Sequence, residues 1–132
     1  MESFKKIIVK ELEDGSFSQS IEKAGPDSLI PNDLLVKVKY SSINFKDALS
    51  ATGNKGVTKK YPHTPGIDAA GIVTKSNSEK FKIGDEVIIT GFDLGMNISG
   101  GFSEYISIPA NWAIKKPDGL SLKESMIYGT AG

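Results

Sequence analysis

The sequence predicts a mainly β domain, a small and partly open β-barrel with two short helices. Short alternating or apolar runs recur at intervals marked by turn residues, as in small barrels. Only residues 44–52 and the stretch after Ser121 carry helix-start signals. The chain has 132 residues, 39% hydrophobic and 24% charged, which fits one globular domain with a real core.

Each element follows from local pattern. Residues 7–12 read as the first strand, Asp14-Gly15 as a hairpin turn and residues 17–21 as the return strand. Residues 24–33 hold Gly25, Pro26, Pro31 and Asn32-Asp33 and form a loop. Leu34, Val36, Val38 and Tyr40 alternate as a third strand. A short helix over residues 45–51 follows, stopped by Gly53. Residues 53–60 are polar and glycine-bearing, an expected mobile loop, and residues 61–66 are too proline-rich for a helix or central strand. Residues 67–75 read as a strand interrupted by Gly71, residues 81–85 as a turn and residues 86–90 as a buried strand. Residues 91–101 form a long loop with four glycines. Residues 102–108 alternate as another strand, and residues 112–115 as a last short one. Ser121 and Glu124 make a capping box, so a helix starts there. A capped helix running into Gly129-Thr130-Ala131-Gly132 suggests the N-terminal piece of a longer protein, cut at a domain boundary.

Lys plus Arg and Asp plus Glu each count 16, so the formal net charge is zero. A nucleic-acid binder would carry a basic footprint, so that partner class is not expected. No apolar run has the length of a membrane span, and residues 1–6 lead into no signal-peptide core. There are no cysteines. Disulfides and thiolate metal sites are therefore impossible, and a cytoplasmic setting is expected.

The stretch Ser41-Ser42-Ile43-Asn44-Phe45-Lys46-Asp47 organises the functional reading. Asn44 stands at a strand-to-helix junction with Asp47 three residues on. Such a polar pair holds ligands in many folds. It is equally an ordinary helix start, because Asn caps well and an early acid suits the helix dipole. Residues 66–71 contain glycines but no Gly-x-Gly-x-x-Gly, so close strand approach is their expected job.

Four motifs, Asn44-Phe45-Lys46-Asp47, residues 65–71, residues 81–87 and Gly100-Gly101-Phe102-Ser103-Glu104-Tyr105, fall in one order over nearly the whole chain. With the closing Gly-Thr-Ala-Gly they resemble the N-terminal GroES-like catalytic domain of a medium-chain dehydrogenase/reductase. The loop 90–97 is similar to the NADPH-dependent quinone oxidoreductase branch that includes acryloyl-CoA reductases. The resemblance implies a reductase of quinones or of an activated C=C bond, with NADPH held mainly by a Rossmann domain absent from residues 1–132. A full-length homodimer acting on a small molecule is also implied. Asn44 and Asp47 are the implied catalytic residues, and Asn44, Phe45 and Thr130 the implied cofactor contacts.

Zinc members of that superfamily place a Cys where Asn44 stands and a His-Glu pair where Ile67-Asp68 stand. An amide and an alkyl group are poor zinc ligands, so no metal is expected. The lone His63 is expected to be a loop residue. Lys55 matches a proton-donor position in related enoyl-thioester reductases, with plain solvation as its other reading. A free-standing GroES-like binding module without catalysis is the competing function, and an oligonucleotide-binding barrel a third.

Overall fold

The structure is a computed structural model that describes residues 3–128. Strands β1 (Phe4–Glu11) and β2 (Phe17–Ala24) form an antiparallel hairpin with Ile7 opposite Ile21. Its turn is built as Asp14-Gly15 predicts: Gly15 takes φ +85°, and Asp14 Oδ1 accepts from Ser16 N and Oγ at 3.0 and 2.6 Å.

The other strands are β3 (Leu34–Ser41), β4 (Asp68–Ser76), β5 (Glu86–Thr90), β6 (Tyr105–Ile108) and β7 (Ala113–Lys115). They form one antiparallel sheet in the order β6-β3-β4-β5-β7. Among the described residues the hairpin pairs with no strand of this sheet; isolated bridges, Lys6 with Ser103 and Val9 with His63, tie it to segments between the strands, and the two sheets make the predicted partly open barrel. Helices α1 (Phe45–Ala51) and α2 (Leu122–Tyr128) lie where their signals place them. At α2, Ser121 N donates to Glu124 Oε1 at 3.1 Å and Glu124 N to Ser121 Oγ at 3.0 Å. No described helix is long and apolar enough to cross a membrane.

The main core gathers Leu34, Val36, Val73, Val87, Ile89, Ile106 and Ile108. A second cluster, Ala70, Ile88, Leu122 and Met126, lies where α2 packs on the far face of β4 and β5. Strand β5 is therefore buried on both faces, which explains its uninterrupted Val87-Ile88-Ile89. Gly71 does what its position predicts: a Cβ there would lie 2.1 Å from the Lys37 carbonyl oxygen across the β3–β4 pair.

Two expectations change. Residues 102–104 do not extend β6. They bond to the hairpin, Ile7 N donating to Phe102 O at 2.9 Å and Glu104 N to Lys5 O at 3.0 Å, while Glu104 O still accepts from Val38 N of β3 at 2.8 Å. Residues 53–60, expected to be mobile, are anchored through a buried side chain. Thr58 is fully buried with its hydroxyl 2.6 Å from Ser50 Oγ. His63, also buried, exchanges two backbone hydrogen bonds with Val9 at 2.8 and 2.9 Å.

Candidate functional site

The site grows from the β3–α1 junction. Strand β3 ends at Ser41, and Asn44 takes extended φ −127°, ψ 164° before the helix begins. Asn44 and Asp47 form a capping box. Its sound half is the Asp47 carboxylate, whose Oδ2 accepts from Asn44 N at 2.8 Å. The other half is poorly aligned, because Asn44 Oδ1 is buried with no well-formed hydrogen bond. The amide nitrogen is fully engaged: Asn44 Nδ2 donates to Asp68 Oδ2 at 2.9 Å, with Ser42 Oγ at 3.2 Å and Asp47 Oδ2 at 3.4 Å. A carboxylate only accepts, so the nitrogen must be the end that faces Asp68. Capping therefore accounts for part of what Asn44 does, and a buried acceptor remains over.

Asp47 is buried, and Oδ1 accepts from Ile67 N at 2.9 Å, tying α1 to the start of β4. Burial raises the Asp47 pKa above its ordinary value, and hydrogen bonds from Asn44 and Ile67 pull it partly back. Asp68 is also buried and accepts from Ser42 Oγ at 2.7 Å.

Beside this network lies a cleft of about 330 Å³ lined by Asn44, Phe45, Lys46, Ile67, Gly91, Phe92 and Met96. Phe45 is 78% exposed and Phe92 58%, unusual for rings of that size. Phe92 stacks on Trp112 with ring centroids 5.5 Å apart and planes 8° from parallel. Its backbone sits at φ +57°, which a bulky residue adopts at a cost.

The structure thus brings Asn44, Asp47 and Phe45 together. Thr130 lies outside the described residues. Lys55 stands elsewhere, its ammonium 2.7 Å from Glu11 Oε1 and 4.9 Å from the Tyr61 ring centroid, an ion-paired surface lysine rather than a merely solvated one. Phe92, Met96 and the acceptor role of Asp68 are additions that sequence reading missed. Gly91 before an aromatic residue was the available hint for Phe92, since glycine marks backbone turns that present a neighbour. Zinc does not fit this donor set. Asn44 offers an amide and Ile67 an alkyl chain, while both carboxylates already serve N–H and O–H donors.

Residues 30–118 match the family model described as the alcohol dehydrogenase GroES-like domain. The chain belongs to that family. This GroES-like domain is 45% identical over 115 residues to the putative quinone oxidoreductase YhfP of Bacillus subtilis, covering 87% of the chain and 35% of the relative. It is 36% identical over 126 residues to the acrylyl-CoA reductase AcuI of Ruegeria pomeroyi, covering 96% of the chain and 38% of the relative. The crystal structure of the YhdH oxidoreductase from Salmonella enterica in complex with NADP superposes with a TM-score of 0.92 at 38% identity, over 97% of this chain and 39% of that one. The chain therefore spans well under half the length of these relatives.

Proposed function

We propose that this domain forms the catalytic wall of an NADPH-dependent reductase of quinones or of enoyl thioesters such as acryloyl-CoA. The observation that carries the reading is the apolar cleft beside Asn44, flanked by two exposed rings, in a domain of this family. The Rossmann unit that holds most of NADPH lies outside these 132 residues. When bound, NADPH supplies a hydride to the quinone or to the β-carbon of the enoyl thioester.

The residues of this chain bind and orient. Phe45 and Phe92 offer flat apolar walls to a planar group. Asn44 lines the cleft, where in this reading it contacts the nicotinamide. Asp68 and Asp47 act as positioning residues: Asp68 holds the amide in that orientation and Asp47 holds the turn. Thr130 is the further cofactor contact of the proposal. Lys46 lines the cleft, and it and solvent are the two candidate sources of the proton in this reading. The enzyme is cytoplasmic and homodimeric in this reading.

The test is NADPH oxidation by the full-length protein, followed with a small benzoquinone and with acryloyl-CoA. Turnover of either acceptor supports the proposal, and turnover of neither sinks it.

A further inference from the structure

A concavity of about 430 Å³ lies apart from the Asn44 cleft. It runs between the β1–β2 hairpin and residues 101–104. Ile7, Ile21, Val38 and Phe102 give it apolar walls, and Ile7 and Ile21 are cross-strand partners. Lys5 and Lys39 line it and are exposed, and neither makes an ion pair among the described residues. Glu104 is the acid in this groove, and its carboxylate already accepts from Lys5 N at 2.5 Å. A second, smaller concavity of about 360 Å³ shares Ile7 and Phe102 with the first. Ile43 and, from α1, Asp47, Ala48 and Ala51 also line it, and Ile43 is 86% exposed directly before Asn44.

The two concavities therefore form a groove that is cationic at the hairpin, apolar in the middle, and adjacent to the cleft at its end. We propose that this groove binds a coenzyme A thioester, with Lys5 and Lys39 on the phosphates and the pantetheine arm along Ile7, Phe102 and Ile43. The inference rests on the proposed function and selects the thioester among its acceptors. A quinone has neither phosphates nor an arm and needs only the cleft. A CoA thioester has an anionic end and a long uncharged tether, the same order of chemistry as the groove.

The experiment compares acryloyl-CoA with acryloyl-pantetheine, which lacks the nucleotide and its phosphates, in the full-length enzyme. The wild type should show a KM for acryloyl-CoA roughly tenfold below that for acryloyl-pantetheine. The double substitution Lys5→Glu and Lys39→Glu should remove this advantage, leaving the KM for NADPH and turnover of a small benzoquinone unchanged. Lys5→Gln with Lys39→Gln should give an intermediate loss, and thermal melts confirm that both variants fold. The advantage should also fade as salt is raised, because the lysines are exposed. An unchanged KM for acryloyl-CoA in the charge-reversed variant overturns the inference while the proposed function stands. A rise in the KM for NADPH instead overturns it too, by assigning the lysines to the other cofactor's phosphates. If the enzyme reduces no acceptor, the proposed function fails, and calorimetric titration with CoA itself decides the groove. Binding lost on charge reversal upholds it, and no binding to the wild type overturns it.

Discussion

Asn44 spends its amide nitrogen on Asp68, and its oxygen is buried at the first turn of α1. A group used this way contributes to ground-state positioning rather than to charge developing late. In the full-length enzyme, Asn44→Ala should therefore raise the KM for NADPH about tenfold with little change in kcat. A fall in kcat of roughly 10² at constant KM would instead make the amide a donor to the transition state. The same substitution removes a donor from buried Asp68 and should cost about 1–3 kcal/mol in a denaturant melt. His63 gives a second residue-scale prediction. Its Nε2 lies 2.8 Å from the Gly95 carbonyl, so that nitrogen carries the hydrogen and donates. Burial lowers its pKa, while the Gly95 contact and Asp93 oppose the fall and Lys6 assists it. A depressed pKa means that the folded state binds the proton less well than the unfolded chain. The His63 contribution is thus complete above the ordinary value of 6.5 and is lost as pH falls through the lowered one. Thermal melts from pH 8 to pH 4.5 should show this loss, and His63→Gln, which can still donate to Gly95, should flatten it.

At the scale of elements, much was legible because each local choice agreed with its neighbours. The β1–β2 turn, β5, α1 and α2 all follow from spacing and capping alone. Residues 102–104 were misread because their alternation is real but serves the hairpin rather than β6. No local pattern distinguishes one antiparallel partner from another. Residues 53–60 looked loose because polar composition does not reveal that Thr58 is buried with its hydroxyl on Ser50 of α1. In the site, Asn44 and Asp47 were visible as a cap, whereas Phe92 reaches the cleft through a left-handed backbone and a stack on Trp112 that sequence does not encode locally. Gly71 tests the sheet itself. Its missing Cβ is what lets Lys37 O approach, so Gly71→Ala should force β3 and β4 apart. We expect a loss of about 2 kcal/mol or more in a urea unfolding curve, with far-UV circular dichroism still dominated by strand below the midpoint.

At the scale of the molecule, the described residues hold a full core and, in the proposed reading, form one wall of a cleft. The isolated chain should fold cooperatively yet bind NADPH with a Kd of roughly millimolar or weaker, about −4 kcal/mol, which fluorescence titration would reveal. Saturable micromolar binding would mean that this wall alone holds the cofactor. The two sheets also imply two tiers of persistence. The five-stranded sheet is knitted strand by strand, whereas the hairpin is held to the rest by two bridges, the contacts of residues 102–104 and side-chain contacts such as Gln19 on Ala51 O and Glu11 on Lys55. Sub-global opening then has a natural seam. Amide protons of β1 and β2 should trade with deuterium well before those of β4 and β5. Each such excursion would unroof Phe102 and momentarily dismantle the lysine-rimmed groove, so ligand held there should slow exchange selectively in the hairpin and leave the central sheet's clock untouched.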